Sequence, residues 1–356
     1  MPDVGRKPPF SDDELASMVG IQITQSRDFA QDFLEENRRQ AWKYYLGRRG
    51  RDEDFSATTN REGYTREGGS EAVSEDVADM VEALMATLMP IFGSDVPVEF
   101  EPIGPGDEEN AKAESDAVAN VLIEQNRGWL VIAEAIKDAL LLRNATIKIW
   151  VDERVISETR RFEDIADDDL AFFVTSIPQG VEADITSRKG TKATVKLTRV
   201  IRTPKVKAIK QSHFLVDPNH DNIDISDAFF IAERKFSSRS ELLAAGFTKK
   251  KVQELPAFTQ DTDVDSTASN IEGISGEMSR PTHDSDIIEW YECYMRIDLT
   301  GNGESNLVRF DWSNRHLLGK GPAAFIPYAT GTGWLVPHRY SGLSVYDKIQ
   351  QVTDIK

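Results

Sequence analysis

Apolar residues recur at three- and four-residue spacing from Leu15 through Met18 and Val19. The same spacing continues at Phe29, Phe33, Leu34, Ala41, Trp42, Tyr45 and Leu46. That is the helical period, and it predicts one long or two consecutive amphipathic helices ending at Gly47. Ser11-Asp12-Asp13-Glu14 marks the start as a capping box, in which hydroxyl and carboxylate each satisfy a free backbone N–H. Residues 48–69 are polar and Gly-rich and read as a loop. Ser74 then caps a helix, with Glu75 and Asp76 favoured at its positive end. Val77, Met80, Val81, Leu84, Met85, Leu88 and Met89 give it a wide apolar face, which Pro90 and Gly93 close. Val96 to Glu101 reads as extended, and Pro102 to Gly106 turns the chain. Asp107 to Gln125 is helical in pattern, with Gly128 as its stop. Leu130 to Leu142 is apolar nearly all round, which predicts deep burial.

The period then changes to two. Thr146 to Val151 predicts a strand. Ala193, Val195, Leu197 and Ile201 alternate with Lys192, Thr194, Lys196, Thr198 and Arg202, the pattern of a half-buried strand. Arg199 interrupts the apolar face and predicts an edge or bulge there. Val206 to Ile209, Phe214 to Val216 and Ala228 to Phe236 extend the β region. Ser238-Arg239-Ser240-Glu241 is a second capping box, opening a short helix that Gly246 ends, and Thr248 to Leu255 is another. Residues 257–286 are rich in Asp, Ser, Thr and Gly and predict a long acidic loop. Ile287 to Ile297 and Asn306 to Asp311 read as paired strands. Ser344-Val345-Tyr346-Asp347 caps a last helix that has only begun at Lys356, so the chain is expected to be an N-terminal fragment.

Composition narrows the chemistry. Asp and Glu number 60 against 42 Lys and Arg, a net charge of −18. A general DNA clamp needs a net basic face, so that class is disfavoured. No run approaches the ~18 apolar residues of a membrane span. Cys293 stands alone, which excludes an intrachain disulfide and a cysteine zinc site. There is no Gly-x-x-x-x-Gly-Lys-Ser/Thr loop and no Gly-x-Ser-x-Gly elbow. His213, His220, His283, His316 and His338 are scattered, without metal-ligand spacing. Asp298 to Glu304 resembles part of a calcium loop, but the twelfth position is Arg309 instead of a bidentate acid, which favours a hairpin turn. Trp129, Trp150, Trp290, Trp312 and Trp334 read as packing residues. No catalytic, cofactor-binding or metal-binding residue is assigned, and no cofactor is expected.

Two charge blocks lie close together in the chain. Residues 152–169 hold eight acids against three Arg, and residues 188–210 hold nine bases and no acid. Three readings stay open: complementary faces on neighbouring subunits, a stripe for DNA phosphates, or the solvated face of a twisted sheet.

Several segments, taken in order, resemble the portal (head-to-tail connector) proteins of short-tailed bacteriophages. They are Trp42 to Gly47, Val73 to Val77, Leu88 to Asp95, Val98 to Pro102, and Lys137 to Leu141 leading into Ile147 to Trp150. Phe214 to Pro218 with Asp227-Ala228, Ser240 to Gly246, and Ser341 to Ser344 follow. The resemblance implies a non-enzymatic α+β wing region in which N-terminal helices pack on a β-rich part. It implies a helical part at 1–145, a β-rich part at 146–256 and a flexible acidic loop at 257–286. A β-hairpin region at 287–343 and the start of a stem helix at 344–356 complete that division. It further implies a dodecameric ring at one capsid vertex of the virion, made in the host cytoplasm, that passes double-stranded DNA non-specifically in packaging and ejection. Expected partners are terminase, capsid and scaffolding proteins and tail adaptors, with no membrane. Another head-completion or adaptor protein is the alternative reading. A carboxylate-dependent hydrolase built on Asp167 to Asp169 is the enzymatic one.

Overall fold

The structure, a computed structural model, describes residues 10–46, 75–92, 98–104, 106–178, 180–258 and 285–355. The stops at Gly47 and Gly93, the 48–69 loop, the Ser74 cap, His283 and most of the 257–286 loop lie outside these residues. The architecture is α+β. Contacts divide the chain into two compact units, neither continuous in sequence. Unit one takes Met1–Pro97, Trp129–Lys148 and Ala208–Lys356, and unit two takes Val98–Gly128 and Ile149–Lys207.

In unit one the Ser11 box forms as expected: its hydroxyl accepts from Glu14 N–H (3.3 Å) and the Glu14 carboxylate accepts from Ser11 N–H (2.7 Å). Helix α1 (Asp12–Ala30) runs through a π-helical turn (Gln31–Glu35) directly into α2 (Glu36–Tyr45). The wider turn keeps Ala30, Leu34, Arg38 and Ala41 on the buried line and leaves Phe33 62% exposed, against the apolar pattern.

α1 lies on a five-stranded antiparallel sheet of order β4-β5-β6-β7-β8. Its strands are β4 (Phe214–Val216), β5 (Phe230–Ser238), β6 (Ile287–Ile297), β7 (Asn306–Ser313) and β8 (His316–Pro322). Because side chains alternate along a strand, Ala232, Cys293 and Phe310 align on one face and pack on Leu15, Val19 and Ile23. The other face carries Ile231, Tyr294 and Leu307, which pack with Ile209, Tyr328 and Tyr340. There the first five residues of β1 (Asn144–Phe162) pair antiparallel with β9 (Tyr328–Thr332).

A helical cluster completes unit one. In it, α2 and α3 (Asp76–Leu88) join the end of α5 (Gly128–Leu142) and the start of α9 (Val345–Ile355) around Tyr44, Val81, Leu141 and Tyr346. The uniform burial expected for α5 is not met. Leu140 to Leu142 are buried, whereas Trp129 and Leu130 are about half exposed, because this cluster reaches only as far as Ile132. The Ser238 box and the Gly246 stop frame α7 (Arg239–Ala244), which precedes α8 (Lys249–Glu254).

Unit two opens with α4 (Glu108–Ala119) and a π-turn at Asn120–Gln125. Gly128 is not its stop. Arg127 takes the left-handed conformation (φ 52°), and Gly128 is required because a Cβ there would stand 2.5 Å from the Leu122 carbonyl oxygen. The strand expected at Thr146 to Val151 continues to Phe162, followed by α6 (Asp167–Thr175), β2 (Val181–Lys189) and β3 (Lys192–Ala208). The extension, α6 and β2 were hidden from the pattern because β1 is exposed on both faces from Glu153 to Arg161, so no alternation marks it. A small core of Leu170, Ala193 and Val195 holds α6 to the hairpin. The register slip sits at Thr186, between Ile185 and Ser187, and not at Arg199, where the β2 ladder instead begins opposite Val181.

Candidate functional site

Glu233 on β5 stands directly opposite Glu292 on β6, and Glu292 stands opposite Asp311 on β7. Three carboxylates thus form a row on one face of the sheet, mostly out of water. Like charges placed this way repel, and three cations answer them. Lys148, brought over the row by β1, contacts Glu233 and Glu292, each at 2.7 Å. Lys235 contacts Glu292 and lies 3.4 Å from Glu233. Arg309 binds Asp311 at 2.9 Å. Tyr328 and Tyr294 donate their hydroxyls to Glu233 (2.7 Å) and Glu292 (2.8 Å), and the Lys148 ammonium lies 4.9 Å from the Tyr328 ring centroid.

Burial would raise the Glu292 carboxyl, but Lys235 and Lys148 hold it far below the ordinary range. Burial lowers the Lys148 ammonium against the attraction of Glu292. Burial and Glu292 push the Tyr328 hydroxyl up. The balance of three cations and three carboxylates makes this a clamp that seats β1 on the sheet. Among the described residues, neither of the two open grooves of about 490 Å³ is lined by a member of this cluster. None of these residues was singled out in the sequence. Lys148 on a short apolar strand is the one local signal of a buried charge.

A second ionic site ties α9 to the turn after α5. Arg143 grips Asp347 with two hydrogen bonds (2.8 and 2.5 Å), and Asp347 also accepts from Ser344 N–H (2.8 Å), forming the cap expected there. Arg38, buried in α2, donates to the carbonyls of Leu142 (3.4 Å) and Gln211 (3.2 Å).

The remaining candidates are dispersed. His213 stacks near Phe236 (5.5 Å) and His220 Nε2 lies 2.9 Å from the Asp224 carbonyl oxygen. His316 and His338 are exposed. No group of three or more His, Cys, Asp or Glu is placed to hold a metal among the described residues. Asp298 takes up its own loop, accepting from the N–H groups of Gly303 (2.7 Å), Thr300 (2.9 Å) and Gly301 (2.7 Å). Those donors, Gly303 foremost, bring its carboxyl down to about 2. Gly301 (φ 71°) and Gly303 (φ 87°) supply the turn geometry. Trp290 is buried and Trp312 donates to the Ala16 carbonyl (2.8 Å), while Trp129 is about half exposed.

The charge blocks interleave inside unit two. Arg202 pairs with Glu153 (2.6 Å), Arg188 pairs with Asp167, and Lys196 lies opposite Asp184 in the ladder. A uniformly basic stretch of sequence therefore becomes a mixed surface along much of the hairpin.

A comparison with protein families supplies the class: the family described as phage SU10 portal protein matches residues 15–356, and the chain belongs to that family. It is thus a phage portal protein, of a structural family whose place is in the virion at the capsid. No curated protein sequence matches the chain. No helix among the described residues is long and apolar enough to cross a membrane.

Proposed function

We propose that this chain is a wall subunit of a dodecameric portal ring at one capsid vertex, a conduit for double-stranded DNA in packaging and ejection. The match to the portal family over residues 15–356 carries this reading. The charge of −18 supports it, since a conduit that repels phosphate keeps the duplex mobile. Terminase supplies the energy of translocation and docks on the ring, followed by tail adaptors; capsid and scaffolding proteins surround it. The subunit itself catalyses nothing. In this reading residues 1–145 and 146–256 are the helical and β-rich parts of the wing, and residues 287–343 are the hairpin region. The test is negative-stain microscopy of the complete gene product: rings with a central hole are expected, and a clean monomer under assembly conditions overturns the proposal.

A further inference from the structure

Helix α1 has a second apolar edge that its packing on the sheet does not use. Leu15, Val19 and Ile23 are buried against the strands, whereas Met18 and Ile21, one step round the helix, are 37% and 54% exposed. Beside them a groove of about 490 Å³ opens between α1, the start of β5 and the end of β6. Phe10, Met18 and Ile21 form one wall, and Phe229, Met295 and Ile297 the other. Single exposed apolar side chains are ordinary, but six converging on one groove mark a contact surface. Two of the six are methionines, whose unbranched side chains adapt to the shape of a guest.

The rim of this groove is acidic. A smaller groove of about 390 Å³ shares Phe10 and Met18 with it and continues to Asp13 and Glu14. Asp12 next to them pairs with Lys320 (2.7 Å), whereas Asp13 has no ion pair among the described residues. Glu14 accepts only from Ser11, through its N–H and its hydroxyl. Asp298, in the lining of the larger groove, accepts from the residues of its own turn. Against these three carboxylates stands Arg296, whose guanidinium donates to the Ser226 carbonyl (2.8 Å). The apolar floor is thus edged by negative charge that no cation answers. Two copies meeting through this same face would set acid against acid, which repels. From Phe10 to Gln22 the wall runs about 18 Å, three helical turns.

We propose that this groove docks an amphipathic helix of a partner protein. Its apolar stripe enters between α1 and β6, as a helix lies in a hydrophobic groove, and its Lys or Arg residues stand over Asp13, Glu14 and Asp298. The contact lies wholly within unit one and adds to the portal reading a surface for a second kind of protein.

The experiment measures fluorescence anisotropy of a labelled peptide of about 14 residues, Leu and Lys in amphipathic helical order, titrated with the complete gene product at moderate salt. A peptide with Glu in place of Lys is the charge control. Circular dichroism checks folding, and mass photometry follows self-association. The Leu/Lys peptide should bind, and Ile21→Ser with Phe229→Ser should weaken it by about tenfold or more. Asp13→Lys should weaken it severalfold, the Glu peptide should not bind, and Phe33→Ser, outside the groove, should change nothing. Unaltered binding by the Ile21→Ser/Phe229→Ser protein, equal binding of the Glu peptide, or an equal loss in Phe33→Ser overturns the proposal. No peptide binding, with self-association lost in the Ile21→Ser/Phe229→Ser protein, overturns it in favour of a second copy in the groove. Each of these outcomes leaves the portal reading intact.

Discussion

Glu233 and Glu292 face each other across neighbouring strands, two buried carboxylates that stay together because Lys148, 2.7 Å from each, and Lys235 both reach across the pair. Lys148 is also the last residue of β1 to pair with β9, opposite Tyr328. The ion cluster therefore sits where that ladder stops, and it fixes the register of β1 on the sheet.

Removing one member of such a set leaves its partners buried without compensation. Lys148→Met should destabilise the protein by about 3–5 kcal/mol. Adding Glu233→Gln and Glu292→Gln should recover a large part of that loss, because the repelling charges go as well. Urea unfolding of the single and triple variants checks this. A triple variant less stable than the single one would refute the clamp.

Burial raises the Asp138 carboxyl from 3.8 to about 7, with Arg38 opposing and Glu134 adding to the rise. Between about pH 4 and 7 the folded protein then holds a proton that the unfolded chain has released. Stability attributable to this group falls as pH rises through that window and levels off above it. Asp138→Asn should flatten the fall and stabilise the protein at pH 8 by on the order of 2 kcal/mol. Thermal melts of both proteins from pH 4 to 8 measure it.

Asp347 behaves in the opposite sense. Burial would raise its carboxyl, but Arg143 and the Ser344 N–H together hold it below its ordinary value. Its contribution is present above the unfolded value of 3.8 and is lost as pH falls through the lower folded value. Asp347→Ala should cost about 1–3 kcal/mol at pH 7 and much less at pH 3. Equal costs at the two pH values would contradict the assignment.

Past the extra residue at Thr186, Arg188 lies on the face that carries Ala193, where it reaches Asp167 on α6. Deleting Thr186 should straighten β2 yet keep Arg188 opposite Ala193 and in reach of Asp167, whereas Arg188→Ala should loosen α6. Hydrogen exchange of Asp167 to Thr175 would rise in Arg188→Ala alone, and unchanged protection there would show that this pair does not hold α6.

Cys293 is fully buried between strands, and its thiol is raised by burial and by Asp311. The folded protein should leave a thiol reagent unconsumed until denaturant is added; prompt labelling would contradict the packing of α1 on the sheet.

Much of the local structure was legible in the residues themselves. Three capping boxes, at Ser11, Ser238 and Ser344, formed as read, because a cap depends on side chains only three positions apart. The paired strands read at 287–297 and 306–311 formed, the second running on to Ser313, and one of their faces meets α1. The segments that escaped, β2 and most of β1, have little core to face, and exposed strands carry no period to read. Phe33 escaped for a different reason: the π-turn at 31–35 moves the buried line by a residue, and spacing rules assume a regular helix.

The family, too, was visible in the order of short segments along the chain. The sequence by itself determined the helices with an apolar stripe, their caps, the acidic balance and the absence of phosphate-loop or nucleophile motifs. These depend on neighbours within a turn or two. Only the tertiary structure decided which charges meet. Lys148, Glu233 and Glu292 are 85 and 144 residues apart and come together because two β-ladders cross their paths. The acidic and basic runs, so distinct in one dimension, interleave once the strands are laid side by side. Pairing across a sheet is set by register, and register is a property of the fold.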